Sequence, residues 1–176
     1  IISYYQHIHK HPEIAFEEEN TARYIEKILQ NLGLETKRAA GTGVIATLKG
    51  TASGKTIALR ADIDALAIKE ETDLPFASHN DGKMHACGHD AHSAMLLGAA
   101  HILVAEKEKI SGTIKFIFQP AEEFGGGAKR IVDEKYLDDV DAVFGIHVWS
   151  DTKTGSISLK KGPLLASSDN ITIIIK

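Results

Sequence analysis

Residues 17–32 place Ala22, Ile25, Ile28, Leu29 and Leu32 at helical spacing, and Gly33 follows as a stop. This predicts an amphipathic helix, with His11-Pro12-Glu13 as the turn that starts it. Apolar runs at 44–48 and 56–59 read as strands, separated by the turn-like Gly50-Thr51-Ala52-Ser53-Gly54. Residues 92–103 are almost all small or apolar, so the helix expected there is buried rather than amphipathic. Further strands are predicted at 113–118, 142–146 and 156–159, and a short helix at 128–137 after the glycines 125–127. The final run, Ile171-Thr172-Ile173-Ile174-Ile175-Lys176, reads as a β-branched strand that needs partners on its edges and faces. Strands alternating with helices predict an α/β layered sheet, at least partly parallel.

Three of these strands end in residues that carry chemistry. Residues 56–59 lead into Arg60-Ala61-Asp62-Ile63-Asp64, and 114–118 into Gln119-Pro120-Ala121-Glu122-Glu123. Residues 142–146 lead into His147 on a strand expected to be buried. In open α/β sheets, sites form in the crevice beyond the carboxyl ends of strands, so these positions are expected to converge.

Composition narrows the field of partners. The 176 residues suit one domain, and 43% apolar with 25% charged residues is ordinary for a globular protein. A formal charge of −4 argues against nucleic acid or an anionic membrane as partner. No apolar run has the length of a membrane span, no signal peptide opens the chain, and a single cysteine cannot form an internal disulfide. Cytoplasm is the expected compartment. The chain opens on Ile1-Ile2 and closes inside an apolar strand, so it is expected to be the front part of a longer protein.

The only cysteine lies in Met84-His85-Ala86-Cys87-Gly88-His89-Asp90. A thiolate and an imidazole separated by one glycine can turn onto a single cation. The thiol also precedes a helix N-terminus, whose partial positive charge favours thiolate. Alone, the pair reads first as a structural cysteine beside a surface histidine; the two later clusters and the absence of a second cysteine turn the reading towards ligands. Glu122 and Glu123 are adjacent, so their side chains diverge: one can stay ionised on a metal while the other serves as general base. The plain alternative is a solvated acidic pair. Asp62 and Asp64 lie two apart, able to bind a metal or to orient a ligating histidine, or simply to form a turn. A lone His147 reads as a satisfied core residue; its weight comes from the other clusters. His7, His9 and His11 are set aside as a metal tract, and Gly41-Thr42-Gly43 as a dinucleotide loop, because a strand follows it. No Gly-x-Ser-x-Gly elbow and no Walker loop occur.

The ordered set His11-Pro12-Glu13, Arg60-Ala61-Asp62-Ile63-Asp64-Ala65-Leu66, His85-Ala86-Cys87-Gly88-His89-Asp90, Phe118-Gln119-Pro120-Ala121-Glu122-Glu123 and Gly145-Ile146-His147 resembles the co-catalytic metal amidohydrolases. These include N-acyl-amino-acid amidohydrolases, hippurate hydrolases and plant auxin-conjugate hydrolases, relatives of the aminoacylases and metallo-carboxypeptidases. The resemblance covers essentially the whole chain. It implies the front part of a three-layer α/β catalytic domain like that of the zinc exopeptidases, with residues 1–176 ending about where a smaller lid domain begins. It further implies two divalent ions (zinc or manganese, with cobalt or nickel as other users) held by Cys87, His89, Glu123 and His147. Glu122 would be the general base, with Asp62 and Asp64 as supporting residues near the metals. One more histidine ligand and a lid histidine would come from the remainder, and the full-length protein would be a homodimer. The implied substrate is an N-acyl amino acid or a short peptide. A dipeptidase or carboxypeptidase of the same chemistry, and a non-catalytic metal-binding domain, are the rival readings.

Overall fold

A computed structural model of the chain describes residues 1–165 and 171–175. Five strands form one sheet in the order β1-β2-β4-β3-β5: β1 Glu35–Ala39, β2 Gly43–Lys49, β3 Ala52–Asp62, β4 Ser111–Gln119 and β5 Ala142–Gly145. β3 runs parallel to both β4 and β5, while β2 is antiparallel to β1 and β4. Helices α1 (Ile2–Lys10), α2 (Glu19–Asn31) and α3 (His89–Ala105) share one face, and α4 (Gly127–Asp133) covers the other. The three layers and the mixed sheet agree with the expected fold class.

Alternation along β4 explains the two cores. Ile114, Phe116 and Phe118 point into the large core with Ile25, Leu29, Leu97 and Ala100, whereas Ile117 packs with Ile131 on the opposite face. Each fully buried phenylalanine contributes about 1.5–3 kcal/mol of transfer free energy. Lys115, between them on the α4 side, donates to the Tyr136 carbonyl at 2.8 Å. α3 is apolar all round because it lies between α1, α2 and the sheet.

Several sequence expectations need correction. The predicted first helix starts at Glu19, well after His11-Pro12-Glu13, and another helix, α1, precedes that motif. Glu13 nevertheless serves α2 from a distance: its carboxylate accepts the backbone N–H of Asn20 at 2.9 Å and of Thr21 at 2.8 Å. These are donors that a helix N-terminus leaves without partners, and negative charge there also suits the helix dipole. The expected strands at 156–159 and 171–175 are irregular and exposed, since a β-branched run becomes a strand only beside a partner. For the same reason β5 is not the buried strand expected: it is an edge strand, with Val143 and Phe144 half exposed. The positions 166–170 and 176 lie outside the described residues. Among the described residues no helix is long and apolar enough to cross a membrane.

Parallel registry levels the strand ends. Asp62 pairs with Gln119 and Arg60 with Gly145, so the carboxyl ends of β3, β4 and β5 open onto one edge.

Candidate metal centre

The ends of β3 and β4 and the turn after β4 are held at this edge by backbone hydrogen bonds to buried groups. Ile63 N–H donates to the Gln119 carbonyl at 3.0 Å, joining the ends of β3 and β4. Ala121 takes a left-handed conformation, φ 51°, and its N–H donates at 2.9 Å to Glu18, a carboxylate with no exposed surface. The Glu123 N–H donates to Asp64 Oδ2 at 3.0 Å. Buried Glu18 and Asp64 thus set the course of the Pro120-Ala121-Glu122-Glu123 turn, holding a strained alanine in place. On the other side, Gly88 at φ 84° turns the chain between Cys87 and His89 directly before α3.

These constraints converge on the ring of His89, which is 1% exposed. Its Nδ1 lies 2.8 Å from the Asp64 backbone carbonyl and 3.3 Å from Asp64 Oδ1, both acceptors, so Nδ1 carries the hydrogen. Nε2 is buried with no hydrogen-bond partner. Around it stand three carboxylate oxygens: Asp62 Oδ2 at 3.6 Å, Glu123 Oε1 at 3.7 Å and Glu122 Oε2 at 3.9 Å. Cys87 Sγ lies 3.5 Å from His147 Nε2, and one atom each of Cys87, His89 and His147 lie within 4.8 Å of one another. His89, Glu122 and Glu123 satisfy the same limit. Ligands of one zinc-sized ion stand roughly 3.3–3.8 Å apart, so these spacings suit a shared cation.

The electrostatics agree. Burial opposes ionisation of Asp62 and Asp64, yet His92 and Arg60 beside Asp62, and His89 and two backbone N–H groups beside Asp64, hold both below the ordinary carboxylate range. Burial also opposes charge on His89, but its bond to Asp64 and the carboxylates of Asp62, Asp64 and Glu123 carry its pKa above the usual imidazole value. That is a demand for positive charge at Nε2, which a proton or a metal ion can meet. Cys87 corrects an expectation. The helix N-terminus does not leave it a free thiolate: burial, then Glu123, Glu122 and Asp62, push the thiol up to about 12. A cation among these groups reverses that balance.

All seven residues singled out in the sequence, Asp62, Asp64, Cys87, His89, Glu122, Glu123 and His147, meet at this edge. The two aspartates differ: Asp64 holds His89, whereas Asp62 Oδ1 is 2.6 Å from Nδ1 of His92. The two glutamates do not simply diverge, since both approach one ring nitrogen. Sequence reasoning missed His92, Arg60 and Glu18. Only His92 carried a signal, standing one helical turn after His89.

A second buried cluster supports α3 from behind. His9 faces Asp90 Oδ2 at 2.6 Å through Nδ1 and Glu70 Oε1 at 3.0 Å through Nε2. Although burial opposes it, Glu70 is held down to about 2 by the Thr72 hydroxyl, His9 and the Ser78 N–H. A folded pKa below the ordinary 4.5 means a stabilisation that is complete above about pH 4.5 and is lost as pH falls towards 2. Glu70→Gln is therefore expected to flatten the acid limb of a stability-against-pH curve from urea unfolding. An unchanged limb contradicts the pairing.

The sequence model of peptidase family M20/M25/M40 matches residues 58–169. An N-acyl-L-amino acid amidohydrolase of Geobacillus stearothermophilus is 47% identical over 99% of this chain and 48% of its own length. Thermostable carboxypeptidase 1 of Saccharolobus solfataricus is 47% identical over 99% of this chain and 46% of its own. Among solved structures, the YXEP protein of Bacillus subtilis, described as a dinuclear metal-binding peptidase, superposes with a TM-score of 0.90 at 45% identity, covering 93% of this chain and 46% of that one. The chain spans about half the length of the curated relatives it matches.

Proposed function

We propose that this chain, which belongs to peptidase family M20/M25/M40, carries the front part of the catalytic domain of a hydrolase that cleaves the amide bond of N-acyl amino acids. The observation that carries the reading is the buried, unpartnered Nε2 of His89 facing three carboxylates. Cys87, His89, Glu123 and His147 would hold two divalent ions, zinc or manganese first and cobalt or nickel as substitutes. A thiolate and imidazole set suits these metals better than magnesium or calcium. When bound, such ions acidify a water and polarise a carbonyl.

The chain's own residues do the rest. Asp64 keeps the His89 hydrogen on Nδ1 and its lone pair on Nε2. Glu122, whose side chain is 43% exposed against 23% for Glu123, faces the open side of the site. There it takes a proton from the attacking water as oxygen adds to the acyl carbon. The carbon–nitrogen bond then breaks, and the same proton passes from Glu122 to the leaving amine. The products are a carboxylic acid and a free amino acid. In the whole protein, residues 1–176 act with a lid domain, a further histidine and a second copy, in the cytoplasm, on a small acylated amino acid.

A carboxypeptidase reading is supported by the identity to two Saccharolobus solfataricus carboxypeptidases, 47% and 45%. Full-length protein loaded with zinc or manganese, assayed on N-acetyl amino acids, N-benzoyl amino acids and unblocked dipeptides, separates the two. Faster turnover of the acylated set is expected. Cleavage of dipeptides alone replaces the reading with a peptidase, and failure on all three sets with metal bound removes it.

A further inference from the structure

His147 is the one proposed ligand that the buried frame does not carry. It follows an edge strand and is exposed, while Cys87 and His89 adjoin α3 and Glu123 is tied to Asp64. Something has to bring it to the others. Resting on the reading of His147 as a ligand, we propose that His92 is the positioning residue that docks it, by accepting the Val148 backbone N–H.

The tautomer follows from the partners. Asp62 Oδ1 lies 2.6 Å from His92 Nδ1, and Arg60 Nη1 donates to Asp62 Oδ2 at 2.8 Å. The hydrogen of a neutral His92 therefore sits on Nδ1, leaving a lone pair on Nε2. The Val148 N–H donates to that lone pair at 2.9 Å. Both ring nitrogens are committed, so His92 is no candidate ligand, although it stands close to His89 and Asp62. Its ring is 3% exposed and meets the His147 ring at 4.6 Å between centroids, edge towards face.

Two further contacts complete the dock. A Cβ on Gly88 would lie 2.4 Å from Val148 Cγ2, so the glycine that turns Cys87 towards His89 also makes room for the residue after His147. Ser93, next along α3, donates to the Asp62 carbonyl at 2.9 Å. The first turn of α3 thus carries His89, follows directly on Cys87, and through the His92 side chain holds the backbone N–H of the residue after His147. The division between the aspartates follows: Asp64 orients a ligand directly, and Asp62 orients the histidine that places another. Outer partners of this kind typically govern about 10–100-fold in metal affinity or activity.

The test uses full-length protein. In metal-free samples, hydrogen exchange at the Val148 amide is expected to be slow in the wild type and fast in His92→Leu. Competition against a chromophoric chelator is expected to show one zinc ion bound about 10–100-fold more weakly in His92→Leu. Val148→Pro, which deletes the donor on an exposed segment, is expected to show a similar loss, and the double variant no more than either alone. His92→Gln, carrying one donor and one acceptor, is expected to recover part of both readouts. Unchanged Val148 exchange in folded His92→Leu, unchanged zinc affinity in Val148→Pro, or fully additive losses in the double variant overturn the proposal. A wild type that takes up no zinc instead overturns the functional reading, and the exchange data then judge the dock alone.

Discussion

Glu122→Gln is expected to lower hydrolysis of an N-acyl amino acid by about 10²–10⁴-fold while leaving bound metal unchanged. The amide keeps the size and shape of the side chain but cannot take a proton from water at neutral pH. Glu122 and Glu123 approach the same His89 nitrogen, at 3.9 and 3.7 Å, so proximity alone does not assign their roles. What separates them is anchorage and access. The Glu123 N–H is bound by Asp64 and its side chain is the more covered, as suits a ligand; Glu122 is the more open, as suits a group that meets water and a departing amine. Metal content and turnover are measured on the same preparation. Ordinary turnover removes Glu122 from the chemistry, and loss of metal shows that the two glutamates exchange roles.

Cys87→Ser is expected to weaken metal binding by more than the roughly 10–100-fold that loss of an outer partner costs. Serine is nearly isosteric, so the fold is preserved, but its hydroxyl stays protonated where a thiol can ionise under a cation. The pocket magnifies the difference. Partial burial, then Glu123, Glu122 and Asp62, push the thiol up to about 12, and a bound cation has to reverse that influence. Cadmium titration makes the event visible, because a thiolate ligand produces a charge-transfer absorption. The band is expected in the wild type and absent in Cys87→Ser. A band of equal intensity in both proteins, or equal affinity, removes Cys87 from the ligand set.

Helix α2, the buried helix α3, strands β2 and β4 and the inner half of β3 were legible because their apolar periods match their burial, whereas Ala52-Ser53-Gly54, expected in a turn, are the exposed start of β3. Helix α1 and strand β1 were not legible. β1 alternates exposed and partly covered polar residues, Glu35 to Arg38, and is a strand because β2 pairs with it. The runs at 156–159 and 171–175 failed in the opposite sense, having strand-like sequences without a neighbouring strand among the described residues.

The site divides along the same line. Ligand-type residues at strand ends, the Cys87-Gly88-His89 turn and the adjacent glutamates are local patterns, readable because a few neighbouring residues create each of them. Which atom each residue presents was decided by partners far away in the chain: Asp64 for His89 across 25 residues, Asp62 for His92 across 30, Val148 for His92 across 56 and Glu18 for Ala121 across 103. Parallel registry of β3, β4 and β5 brings those partners together, and only then do tautomer, ionisation and the different duties of Asp62 and Asp64 follow. A one-dimensional pattern records which side chains are suited to burial. The placement of a hydrogen on one nitrogen rather than another depends on contacts that exist only after the sheet has closed.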